Sequence, residues 1–127
     1  MEQEAYLDTH VVIWLYGGEI NKISPRAISV IEESKLYYSS FVRLELKNLF
    51  EIGKIKAAPD VVLKSLEIEI ALTNRDSPLH VLVNKAMEHS WTRDPFDRMI
   101  VSQAQLENCV LVTKDSLIGE NFKNAVW

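Results

Sequence analysis

Apolar residues fall along this chain in two patterns: short unbroken runs, and longer stretches where they recur every three or four positions. The short runs predict strands. Ala5-Tyr6-Leu7 is the first. Cys109-Val110-Leu111-Val112-Thr113 is so continuously apolar that it fits a strand covered on both faces, as in a parallel sheet flanked by helices. Residues 36–39 and 69–73 predict two more strands, and residues 125–127 a final edge strand. The periodic stretches predict helices between them. One covers 9–16 and stops at Gly17-Gly18; one covers 25–34, with Ser24 as cap and Pro25 in the first turn. Others cover 41–52, stopped by Gly53, then 59–66 opened by Pro59, then 78–88, and a last one runs from Asp94-Pro95 to about 107. Strands alternating with helices predict the α/β class, as a three-layer α/β/α sandwich with a mainly parallel central sheet. In such sheets ligands bind beyond the carboxyl ends of the strands.

No linker, charge block or repeat divides the 127 residues, so one domain over 1–127 is expected. Hydrophobic residues at 47% and charged residues at 25% exclude a disordered tail or a collagen-like repeat. A single cysteine, Cys109, excludes an internal disulfide and a cysteine metal site. No uncharged apolar stretch reaches the length of a membrane-spanning helix. Met1-Glu2-Gln3-Glu4 lacks the basic-then-apolar order of a signal peptide, so a cytoplasmic location is expected. The net charge of -4 rules out a general basic field for nucleic acid. A chain of this charge that handles a polyanion needs a separate source of positive charge, and a bound divalent cation is one.

Four carboxylates stand where the fold does not obviously need them. Asp8 follows the first strand, either as an N-cap or as a site carboxylate at the strand's carboxyl end. Glu45 belongs to the stripe Val42, Glu45, Leu46, Leu49, within an apolar helix face. Burying an unpaired carboxylate there is costly, and Arg43 and Lys47, two positions away, face elsewhere. Asp97 falls on the stripe Asp97, Ile100, Val101, Ala104 and points inward at a helix start, where an acid also suits the helix dipole. Asp94, before Pro95, shapes that turn as its cap. Asp115 follows the buried strand, as a turn residue before Ser116 or as the fourth member of a cluster. Carboxylates gathered from two strand ends and two inward helix faces cannot all ionise without a compensating charge. Oxygen-only ligation suits Mg²⁺ or Mn²⁺ rather than zinc. His10, His80 and His89 show no ligand spacing and are expected to be surface or packing residues. Arg93, Arg98, Lys114 and Lys47 lie beside the acidic motifs, as phosphate contacts or as solvated charge. Trp91 is read as a base-stacking residue or as a cover over the core.

Three segments carry a family resemblance. Leu7-Asp8-Thr9-His10-Val11 resembles the opening motif of PIN-domain proteins. Arg93-Asp94-Pro95-Phe96-Asp97-Arg98-Met99-Ile100, followed by Gln103-Ala104, resembles the signature of the bacterial VapC-type toxin subgroup. Leu111-Val112-Thr113-Lys114-Asp115 resembles the strand that carries the family's fourth acid. One departure is visible: relatives often carry a His just before the Arg-Asp-Pro segment, where this chain has Ser90-Trp91-Thr92. The resemblance implies a metal-dependent ribonuclease acting on single-stranded RNA. Asp8, Glu45, Asp97 and Asp115 would gather round one or two Mg²⁺ or Mn²⁺ ions. Thr9, Ser40 and Thr113 match positions whose hydroxyls assist in relatives, and with Arg98 they are candidate substrate contacts. The resemblance also implies a small antitoxin protein as partner and a homodimer. Two other classes stay in view. A phosphoacceptor receiver domain has a similar size and Mg²⁺-binding acids, but it needs an adjacent acidic pair after the first strand, and Asp8 is flanked by Leu7 and Thr9. A non-catalytic antitoxin-binding module would not need the full acid set.

Overall fold

The computed structural model describes residues 2–127. Among them five strands form one parallel sheet: β1 (Gln3–Leu7), β2 (Ser34–Tyr38), β3 (Thr73–Asn74), β4 (Val110–Val112) and β5 (Ala125–Val126), in the order β3-β2-β1-β4-β5. Helices α1 (Thr9–Tyr16), α2 (Pro25–Glu33), α3 (Ser40–Glu51), α4 (Pro59–Ile70), α5 (Leu79–Ala86), α6 (Pro95–Leu106) and α7 (Ser116–Asn121) flank it in a three-layer α/β/α sandwich. The core runs through the sheet centre, with Leu7, Val12, Leu46, Leu66, Ile100 and Leu111 all at 2% exposure or less.

Strand order positions the site. The chain builds to one side of β1 through β2 and β3, then crosses to the other side for β4 and β5. Between β1 and β4 the connections diverge and leave a crevice at the carboxyl ends, the usual ligand position in such sheets. Register sets Leu7 beside Val112, and the Asp8 N–H donates to the Val112 carbonyl at 3.0 Å. Asp8 and Thr113 therefore leave the sheet side by side.

Helix starts follow local chemistry. Ser24 accepts from the Ala27 N–H at 3.1 Å, and Pro25 fills the first position of α2. Ser39 caps α3, Asp94 caps α6 and Asp115 caps α7. The two-residue edge strand β3 is anchored by Arg75 and Ser77, just past its end. Arg75 lies 3.7 Å from the centre of the Tyr37 ring and pairs with Glu4 at 3.1 Å. Gln103, fully buried on α6, accepts from the Ser77 N–H at 2.8 Å and donates to its hydroxyl at 2.9 Å.

Two expectations need correction. The strand expected at 69–73 shrinks to Thr73–Asn74, because α4 continues to Ile70. Glu67-Ile68-Glu69-Ile70 alternates as a strand would, but Ile68 is 74% exposed, whereas Val62 and Leu66 continue a buried helical stripe. The helix ends at Ala71, which takes a left-handed conformation (φ 56°) and donates its N–H to the Glu67 carbonyl. Helix α7 has no counterpart among the expected elements; with Gly119 and Asn121 among its six residues its helical signal is weak, and the Asp115 cap is its clearest mark.

Candidate active site

Asp8, Glu45, Asp97 and Asp115 line one open cleft of about 360 Å³ at the carboxyl end of the sheet, together with Asp94. Each acid comes from a different element: Asp8 from the end of β1, Glu45 from the second turn of α3, Asp97 from the first turn of α6, and Asp115 from the cap of α7. Asp94 has the capping role expected of it, accepting from the N–H groups of Phe96 at 2.8 Å and Asp97 at 3.3 Å.

Two buried threonines tie the acids together. Thr9 is fully buried; its N–H donates to Asp8 Oδ1 at 2.8 Å and its hydroxyl donates to Glu45 Oε1. Thr113, 3% exposed, donates its hydroxyl to Asp8 Oδ2 at 2.6 Å and accepts from the Asp115 N–H at 3.1 Å. Asp115 Oδ1 in turn accepts from the Ile118 N–H at 3.0 Å. The threonines thus hold carboxylates in place instead of facing the cleft.

The electrostatics are those of a crowded anionic site. The Asp97 carboxyl is pushed up to about 7, first by burial and then by the charges of Asp94, Asp8, Asp115 and Glu45. Burial also raises Asp8, against the hydrogen bonds from Thr113 and Thr9. Glu45 is raised by burial and by Asp8 and Asp94, with the Thr9 hydroxyl opposing. This oxygen-only, mutually repelling donor set fits a hard divalent cation. Among the described residues no three His, Cys, Asp or Glu side chains converge closely enough to chelate an ion as they stand. The acids ring an open cleft, and several of their oxygens are held by hydroxyl and backbone donors.

Other sequence candidates lie elsewhere. Ser40 lines a separate groove with Arg43, Leu44 and Lys47, and its hydroxyl bonds to Asp76. Arg98 Nε donates to the Thr92 carbonyl at 2.9 Å and Arg93 Nη1 to the Ser90 carbonyl at 2.9 Å, so both brace the loop before α6. Trp91 supports the same loop: its Nε1 donates to His89 Nδ1 at 3.2 Å, while His89 Nε2 lies 2.8 Å from Gln105 Oε1. His10 is a surface residue as expected, and its exposed side chain lines the cleft beside Trp14 and Lys114. The spacing could have shown it: His10 and Trp14 are one helical turn apart, directly after Asp8.

The family model described as PIN domain matches residues 5–121. No curated protein matches the chain. Among solved structures, the crystal structure of VapBC2 from Rickettsia felis, bound to a DNA fragment from their promoter, aligns with TM-score 0.67 at 17% identity, covering 98% of this chain and 96% of that one. PAE2754 from Pyrobaculum aerophilum aligns with TM-score 0.64 at 21% identity, covering 99% and 90%. VapBC-1 from nontypeable Haemophilus influenzae aligns with TM-score 0.60 at 15% identity, covering 98% and 96%. At these identities the likeness is one of fold.

Proposed function

Because the chain belongs to the PIN-domain family, we propose that it is a metal-dependent endoribonuclease that hydrolyses phosphodiester bonds of single-stranded RNA, as the toxin of a toxin–antitoxin pair. PIN domains are generally nucleases. The observation that carries the proposal is the meeting of Asp8, Glu45, Asp97 and Asp115 from four elements round one cleft. The strand order supports it against the receiver alternative, because doubly wound receiver sheets run 2-1-3-4-5 and this one runs β3-β2-β1-β4-β5.

In this mechanism Asp8, Glu45 and Asp97 would hold one or two Mg²⁺ or Mn²⁺ ions, with Asp115 as the fourth carboxylate. A bound ion supplies a more acidic water and positive charge to offset the phosphate oxygens. The protein's part is placement. Thr9 fixes Asp8 and Glu45 relative to each other, and Thr113 fixes Asp8 and Asp115. With its carboxyl near 7, Asp97 is poised to give up its proton when a cation arrives.

The test is a cleavage assay on mixed single-stranded RNAs with Mn²⁺ or Mg²⁺. Cleavage should vanish with a chelator and in Asp8→Asn. A protein that binds an antitoxin but cuts no RNA under any metal would instead be a binding module. Thr113→Val, isosteric but without the hydroxyl, should lower kcat about 10- to 100-fold with the fold retained, because it frees carboxylates that hold the ion; kcat unchanged in this variant would remove Thr113 from the machinery.

The partners belong to the same proposal. A small antitoxin is one, in keeping with the VapC-type signature over residues 93–100. A second copy of the chain is the other. Leu79 and Val83 on α5 and Met87 at its C-cap are 63%, 41% and 74% exposed at four-residue spacing, an apolar strip that a homodimer would cover. Sedimentation of the wild type and of Val83→Asp should give a dimer and a monomer respectively.

A further inference from the structure

The acids make up only part of the cleft lining; His10, Val11, Trp14 and Lys114 make up the rest. Holding a cation does not call for these four. His10 and Trp14 sit one turn apart on α1 with ring centres 5.9 Å apart. Trp14 is half-buried, backed by Trp127 at 6.0 Å between ring centres. Lys114, just past β4, places its Nζ 5.7 Å from the centre of the Trp14 ring. A braced indole therefore shares a cleft with the carboxylates, beside an exposed lysine.

We propose that Trp14 is the base-stacking platform of this cleft and that Lys114 holds the adjoining backbone phosphate, so that one nucleotide of a single-stranded RNA is seated with its base on the indole. The inference rests on the nuclease function proposed above and adds to it a substrate subsite. Three arguments support it. Every base has a π-face, so an indole captures nucleotides regardless of sequence, and only where the base is unpaired and its face free. A stacked base interacts more strongly with an indole than an exposed ammonium does. The base thus displaces Lys114 from the ring and frees its charge for a phosphate, in a chain whose net charge of -4 offers little other attraction. Finally, the other candidate stacker, Trp91, has its indole N–H committed to His89 and lies outside the cleft lining.

The experiment pairs Trp14→Leu, which keeps apolar bulk without a π-face, with Trp14→Phe, which keeps a smaller one. Circular dichroism confirms that both fold. In cleavage of a single-stranded RNA, Trp14→Leu should raise KM roughly 10-fold with little change in kcat, and Trp14→Phe should recover most of the loss. Titrating the cleavage-deficient Asp8→Asn protein with a single-stranded RNA octanucleotide in Mg²⁺ should quench tryptophan fluorescence. Asp8→Asn/Trp14→Phe, which retains Trp91 and Trp127, should lose that quenching. Unchanged KM in Trp14→Leu, or quenching that survives Trp14→Phe, overturns the subsite. If the wild type cuts no RNA with either metal, the nuclease function falls, and the quenching titration still decides whether Trp14 stacks on bases.

Discussion

Replacing Asp97 by Asn is expected to lower RNA cleavage at least about 10³-fold and, at the same time, to make the metal-free protein more stable. The loss follows from removing a ligand carboxylate whose job is to hold positive charge against the phosphate. The gain follows from the crowding. In the folded chain the Asp97 carboxyl is raised from 3.8 to about 7. A carboxyl raised on folding binds more protons in the folded state than in the unfolded one. Its contribution favours folding below about 4 and is lost as pH rises towards about 7. A three-unit shift corresponds to about 4 kcal/mol, which partial exposure to solvent reduces to about 1–2 kcal/mol. The helix-start position of Asp97 opposes this by at most about 1 kcal/mol, so repulsion wins at neutral pH. Differential scanning calorimetry with chelator at pH 7.5 should show Asp97→Asn melting above the wild type, by up to roughly 6 °C. The gap should narrow as pH falls below about 7 and close only at about pH 4. A variant that is inactive and also less stable at pH 7.5 would mean that Asp97 serves the helix start rather than a charge-starved site.

The second large effect concerns the platform on which the acids stand. Leu111 is fully buried in β4, between β1 and β5, and pairs in register with Tyr6 and Ala125. Leu111→Ala opens a cavity against a core with little room to collapse, at a cost of about 3 kcal/mol. For a domain of this size that lowers Tm by roughly 10 °C. β4 ends directly before Thr113, whose hydroxyl reaches Asp8 and the Asp115 N–H. The variant should therefore also bind Mn²⁺ more weakly at 25 °C, while remaining folded. A Tm drop with unchanged metal affinity would separate the core from the site and argue against strand register as what sets the acids' positions.

Much of this architecture is legible in the chain because its punctuation is strong. Ser24-Pro25 and Asp94-Pro95 mark helix starts at Pro25 and Pro95, and Gly17 follows α1 directly. The region 67–73 is not legible locally. Its alternating Glu-Ile pattern suits a strand, and only packing shows that Leu66 is buried while Ile68 is solvated. The site divides in the same way. Asp8, Glu45, Asp97 and Asp115 can be picked out as acids on apolar faces or at strand ends, because each breaks the pattern it sits in. What each neighbour does depends on distances that no sequence spacing encodes. Thr9 and Thr113 turn inward to the carboxylates, Ser40 turns to Asp76, and Arg98 turns to the loop that carries Asp94. Trp91 is the tryptophan nearest an acidic motif in sequence, yet the structure puts it in the loop support and Trp14 on the cleft wall.

A single titration addresses the whole account: Mn²⁺ added to the metal-free protein at pH 7, monitored by isothermal calorimetry in two buffers of different ionisation enthalpy. One or two ions per chain should bind, with proton release as the Asp97 carboxyl ionises, and both the binding and the release should fall sharply in Asp97→Asn. Absence of binding at millimolar Mn²⁺, or binding that Asp97→Asn leaves untouched, would contradict it.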